Sequence, residues 1–108
     1  MAKLVRALRG DFDTILRRIE EGVLHGSTSA SLEDSCDWRG GDARCSVRVF
    51  ERYSWTGSNR VSMNVTLFQS GGDIRLCAIT SGGSQAMFFK VNTIGEESFL
   101  DTLKNILD

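Results

Sequence analysis

The sequence predicts an α+β protein in which an N-terminal and a C-terminal helix pack on one face of an antiparallel sheet. Three features support this prediction: helical apolar spacing near each end, two-residue alternation between the ends, and glycine-rich turns that separate the alternating segments. The expected order is β-α-β-β-β-β-β-α, with five to six strands. A reduced helix-grip arrangement, in which a curved sheet wraps the last helix around a cavity, is one version of this fold.

Length and composition predict one domain over residues 1–108. The chain is 41% hydrophobic and 25% charged, which is typical of a globular protein with its own core. Its first residues lack the apolar region of a signal peptide, and no segment approaches the ~20 apolar residues of a membrane-spanning helix. Three cysteines without CxxC spacing argue against a disulfide framework or a zinc site. We therefore expect a cytoplasmic protein without a metal or cofactor.

The charge pattern makes nucleic acid and membranes poor partners. The net charge is −1, which gives no bulk attraction to an anionic polymer or surface. Between residues 39 and 90, seven basic residues stand against three acidic ones, and the two ends carry the compensating acid.

Two amphipathic helices are predicted. Residues 11–25 place apolar side chains at helical spacing, with Asp11 as N-cap and Gly26 as a left-handed C-cap. The last fifteen residues repeat the pattern, with Thr93 and Glu96 at capping-box spacing.

The alternating segments predict half-buried strands near residues 44–53, 61–67, 73–80 and 87–91, with weaker strand candidates at residues 2–8 and 27–34. The turns WRGGD, WTGSN, QSGGD and SGGSQ supply glycine for short hairpins. The acidic stretch EDSCD lacks the ligand spacing of a calcium loop, so we expect a solvated loop there.

The outward sheet face is the most informative predicted surface. In each predicted strand, the side that carries the alternating apolar residues is expected to face the helices. The opposite side of the sheet then mixes arginine with phenylalanine, which is typical of an interface. A symmetric homodimer is the preferred explanation, ahead of a ligand held in a curved sheet and a single-stranded nucleic-acid platform. The predicted interface residues are Arg48, Phe50, Phe68 and Phe88.

A small-molecule site is the alternative. The stretch TSGGSQ lacks the lysine of a Walker loop and the GxGxxG of a Rossmann loop, so a turn is the main interpretation and a small anion-binding backbone nest is the other. The predicted ligand-binding residues are Arg52, Tyr53, Thr80, Ser81, Ser84 and Gln85.

No catalytic residues are assigned. His25, the one histidine, lies at a helix end, where capping carbonyls is its usual role. Nothing marks the three thiols as activated. The preferred function is a non-enzymatic, self-associating or binding domain; the alternative is a small-molecule-binding or hydrolytic helix-grip-like protein.

The segments DARCSVRVFERYSWTGSNRVSMNVTL and AITSGGSQAMFFKVNTIGEESFLD together resemble a small bacterial family of uncharacterised proteins, a domain of unknown function of about this length. The resemblance implies a bacterial cytoplasmic protein, and it assigns no functional residues.

Overall fold

The α+β class and the five-stranded antiparallel sheet with two helices are confirmed. A computed structural model describes residues 1–53, 60–82 and 89–108, with side chains in the last range from residue 95 onward. Sheet order is β1-β5-β4-β3-β2. The elements are β1 Ala2–Leu8, α1 Phe12–His25, β2 Ser31–Gly40, β3 Ala43–Tyr53, β4 Arg60–Ser70, β5 Asp73–Gly82 and α2 Phe89–Leu107.

The chain crosses the sheet once and then fills it in order. It begins on one edge with β1 and crosses through α1 to the other edge at β2. Strands β2 to β5 then return as a meander, in which each strand pairs antiparallel with the next. The last one, β5, pairs with β1. This path leaves α1 and α2 packed on one side of the sheet, called the inner face here, and the opposite side is the outer face.

Helix α1 forms as its sequence predicts. The Asp11 side chain accepts a hydrogen bond from the Thr14 amide at 3.0 Å, which satisfies one free donor of the first turn. Gly26 follows the helix as expected, but its φ of −76° is right-handed, so the left-handed cap is wrong. Its amide still donates to the Val23 carbonyl at 3.3 Å and closes the last turn.

Two tight hairpins fix the register of two strand pairs, β2 with β3 and β4 with β5. Gly40 pairs with Ala43 and Ser70 with Asp73, so two residues form each turn. The first turn residue is glycine in both, Gly41 at φ +59° and Gly71 at φ +58°. Positive φ at this position is inexpensive only for glycine, and it matches the twist of paired strands. The WRGGD and QSGGD turns are therefore confirmed.

The core lies between the inner face and the helices. From the sheet it takes Phe50 and the four alternating apolar residues of β4, all essentially inaccessible to water. From α2 it takes Phe99, Leu100 and Leu103, which confirms the predicted apolar stripe of that helix. Burying each large side chain contributes roughly 1.5–3 kcal/mol.

The inward side of β3 is the opposite of the predicted one. Cys45, Val47, Val49 and Tyr53 lie on the outer face, and Ser46, Arg48, Phe50 and Arg52 lie on the inner face. The cause is the register with β4, which pairs Phe50 with Met63 and Arg48 with Val65. Cross-strand partners share a face of the sheet. Because the apolar side of β4 faces the helices, the β3 residues paired with that side face the helices too.

Two further segments differ from the sequence prediction. The EDSCD stretch, residues 33–37, is not a loop but part of edge strand β2, with a register shift between Leu32 and Asp34. The strand expected at residues 87–91 is not formed at residues 89–91, which belong to α2, and residues 87 and 88 lie outside the described ranges. In the described ranges, four strands therefore lie between the two helices, and Thr93 is inside α2 rather than its cap.

Candidate interaction surface

Cross-strand pairing arranges the outer face in three rows of side chains that run from β1 to β2. Every strand contributes one residue to each row, because the register is continuous over the residues of these rows, which in β2 begin after the register shift. The rows are Val5, Cys77, Thr66, Val47 and Cys36; Ala7, Arg75, Phe68, Cys45 and Trp38; and Lys3, Ile79, Asn64, Val49 and Asp34.

Large apolar side chains of the outer face are open to solvent. Trp38 is 76% exposed, Val5 65%, Phe68 42% and Ile79 40%. A groove of about 260 Å³ lies beside Trp38 and Phe68, with Cys45 between them on the intervening strand. No helix packs on this face among the described residues, since the inner face holds both helices. Several large apolar side chains exposed on one sheet face are typical of an interaction site.

Charge is divided between the two edges of the same face. Lys3 on β1 and Arg75 on β5 are the basic residues of the three rows. Asp34 on β2 is the acidic one, at the far end of the row that begins with Lys3. Within these three rows, the charged side chains are thus basic toward the β1 edge and acidic at the β2 edge.

Of the four predicted interface residues, one lies on the outer face, two lie on the inner face and one is not described by the structure. Phe68 lies on the outer face, as predicted. The outward placement of Arg48 and Phe50 is wrong, because Arg48 is 7% exposed and Phe50 fully buried on the inner face. Phe88 lies outside the described residues.

The predicted ligand residues that the structure describes do not converge on one pocket. Neighbours Arg52 and Tyr53 project to opposite faces of β3. Thr80 is buried, and its hydroxyl accepts from the Ala2 amide at 3.3 Å and donates to the Ala2 carbonyl at 3.4 Å, which ties β1 to β5. The Ser81 carbonyl accepts from the Ser62 hydroxyl at 3.3 Å. Ser84 and Gln85 lie outside the described residues.

Arg48, itself buried, anchors a partly exposed polar network that sequence reasoning missed. Its Nε donates to Glu20 of α1 at 2.8 Å and its Nη2 to Asp37 of β2 at 3.0 Å. Asp37 also accepts from the Ser46 hydroxyl at 2.6 Å. The Ser46 and Arg48 hydrogen bonds lower the pKa of Asp37, although partial burial opposes them. The network joins edge strand β2 to α1. It explains why the polar residues Ser46 and Arg48 occupy the inner face of β3.

The outer-face residues that sequence reasoning missed are Trp38, Val47 and Val49. The predicted strands do not include Trp38, and the outward prediction for Arg48 and Phe50 puts the two valines on the helix side. The available signal was the two-residue Gly41–Asp42 turn, which pairs Trp38 with Cys45.

Neither a metal-binding cluster nor a membrane-spanning helix is present in the described part of the chain. It contains no group of three or more histidine, cysteine, aspartate or glutamate side chains that would hold a metal ion. None of its helices has both the length and the apolar composition needed to cross a membrane.

Comparison with known proteins identifies a family. A family model described as a family of unknown function, DUF6054, matches residues 1–108. The match spans the whole chain, so the protein belongs to this family. A search of curated proteins gave no match.

Proposed function

We propose that this member of the DUF6054 family is a non-enzymatic binding domain that forms a symmetric homodimer through its outer sheet face. The observation that supports the proposal is the exposed apolar surface of that face, with Trp38, Val5, Phe68 and Ile79 open to solvent. Association removes such surface from water, and apolar burial is the main favourable contribution to it.

The size of the face suits a dimer. Five strands spaced about 4.8 Å apart are about 24 Å wide, and ten residues at about 3.4 Å each are about 34 Å long. The product, about 800 Å², equals the area that each partner buries in a standard interface. A second copy therefore has enough surface to cover the face.

The charge division favours a second copy over other partners and selects its orientation. If the two-fold axis runs nearly along central strand β4, the partner is reversed across the sheet, so its β2 lies over β1. Lys3 then faces the partner's Asp34, and Phe68 faces its own counterpart. With the axis perpendicular to the strands, Lys3 would instead face the partner's Ala7, and Asp34 would face the partner's Trp38. Opposite charges across an interface fix register and orientation, so the axis along β4 is preferred.

Sedimentation velocity with one variant and one matched control tests the dimer. Phe68→Glu places a charge at the centre of the face, and we expect it to sediment as a monomer where the wild-type protein sediments as a dimer. Asn105→Glu makes the same charge change at an exposed position of α2 and should remain dimeric. A monomeric wild type, or a Phe68→Glu protein as dimeric as the control, would contradict the proposal. So would binding of a single-stranded oligonucleotide by a monomer through Phe68.

Cross-linking tests the axis. Asn64→Cys in a background without the three native cysteines places thiols that face each other across the proposed axis. A short bis-maleimide should therefore link the two copies efficiently. A protein with Cys77 as its one thiol is the comparison, because Cys77 faces its own counterpart only when the axis crosses the strands. More efficient linkage through Cys77 than through Asn64→Cys would reject the axis along β4.

A further inference from the structure

Arg52 occupies the seam between β3 and α2 on the inner face, away from the proposed dimer surface. Its Nη2 donates to the Ser98 hydroxyl at 3.0 Å and its Nη1 to the Thr102 hydroxyl at 3.3 Å. The guanidinium carbon lies 4.4 Å from the centroid of the Phe99 ring. One aromatic face and two hydroxyls of a single helix thus hold the guanidinium in a defined plane.

This guanidinium is half-buried without an anionic partner in the described structure. No carboxylate there lies within ion-pair distance of Arg52, and all fourteen acidic residues of the chain fall within the described ranges. Burial alone lowers the pKa of Arg52. Arg48, two residues earlier on the same face, has two carboxylates instead. Because desolvating a cation without a counter-charge is costly, the position is suited to an anion from outside the chain.

The unused donors indicate what kind of anion fits. A guanidinium has five N–H donors, and the hydroxyl bonds use two of them. The Thr102 hydroxyl donates to the Ser98 carbonyl at 3.3 Å, and the Ser98 hydroxyl accepts from Arg52. Since Phe99 covers a face of the guanidinium, a ligand approaches its edge. A planar fork with a neighbouring hydroxyl matches an oxyanion with two acceptor oxygens.

We propose that Arg52 and Ser98 bind the carboxylate or phosphate group of a small-molecule ligand at the seam between β3 and α2. Arg52 supplies the bidentate fork and the charge, and Ser98 supplies a third hydrogen bond. Thr102 and Phe99 position the guanidinium. The site does not depend on the dimer, because it lies on the inner face and the dimer surface lies on the outer face.

Titration of the ¹⁵N-labelled full chain with inorganic phosphate and, separately, with acetate tests the site. Ionic strength is held constant with chloride, and the Arg52 Nε and Ser98 amide signals are followed. We expect saturable shifts with at least one anion, and the anion that binds more tightly identifies the headgroup. Arg52→Gln should abolish the shifts at Ser98, and Ser98→Ala should weaken binding by about tenfold. Arg75→Gln, at an exposed arginine of the outer face, should bind as the wild type does.

Two results would overturn the site. One is the absence of saturable shifts with both anions in the wild-type protein. The other is retained binding in Arg52→Gln. If Arg52→Gln fails to fold, Arg52→Lys serves in its place, because it keeps the charge but lacks the fork and should bind about tenfold more weakly. Equal affinity in Arg52→Lys would reject bidentate recognition. If Phe68→Glu is monomeric but shows the same anion-dependent signal shifts as the wild-type protein, the anion site is independent of the dimer.

Discussion

Replacing Arg48 or Arg52, both on the inner face of β3, with methionine should have different effects on stability. Arg48 donates to Glu20 and Asp37 and also to the Val47 carbonyl at 3.0 Å, and its side chain is 8% exposed. Hydrogen bonds to charged groups contribute about 1.5–3 kcal/mol each. Breaking a fully buried pair costs about 3–5 kcal/mol, but the side chains of Glu20 and Asp37 are 31% and 61% exposed and can be rehydrated. We therefore expect Arg48→Met to lower the free energy of unfolding by about 2 kcal/mol.

Arg52→Met should remain within about 1 kcal/mol of the wild type, because no carboxylate loses its partner. Two hydroxyl bonds and the contact with Phe99 are lost, but a desolvated charge is lost with them. Urea unfolding measures the free energies of unfolding of both variants, which are compared at equal m-values. Both are measured at one protein concentration, in buffer without phosphate or carboxylate, because a bound partner or ligand would add to the apparent stability. An Arg52→Met protein destabilised as much as Arg48→Met would refute the reasoning that Arg52 has no counter-charge within the chain.

Three further predictions concern the helix side of the sheet. Thr80→Val should cost about 1–2 kcal/mol in urea unfolding, because two buried backbone groups of β1 lose their partner, whereas Thr80→Ser should stay near wild type. A Cβ at Gly22 would lie 2.5 Å from Ile106 Cδ1, so Gly22→Ala should lower the melting temperature despite its better helix propensity, and adding Ile106→Ala should relieve the clash. The pKa of Asp37 in the folded protein lies below its ordinary 3.8, chiefly because of the hydrogen bond from Ser46. The ionised Asp37 therefore stabilises the fold above pH 3.8, and this stabilisation is lost as the pH falls below that value. If the free energy of unfolding of Asp37→Asn depends on acidic pH as the wild-type value does, this prediction is contradicted.

The sequence by itself determined the fold class and most of the elements. Apolar spacing located α1 and the buried stripe of α2 around Phe99, because helical periodicity depends only on local geometry. The alternation of β4 predicted its inward side correctly, since one side of that strand is apolar and the other largely polar. Glycine at the first turn position located both two-residue hairpins.

Tertiary structure decided which side of β3 faces the helices, and with it the composition of both candidate sites. Both sides of β3 carry apolar residues, so alternation alone did not distinguish them, and a one-residue change of register with β4 would exchange them. The pairing places Val47 and Val49 on the open face, while Arg48 and Arg52 lie under the helices. Whether an arginine there meets two carboxylates or none depends on residues of α1, β2 and α2, which are distant in sequence and meet only in the folded chain.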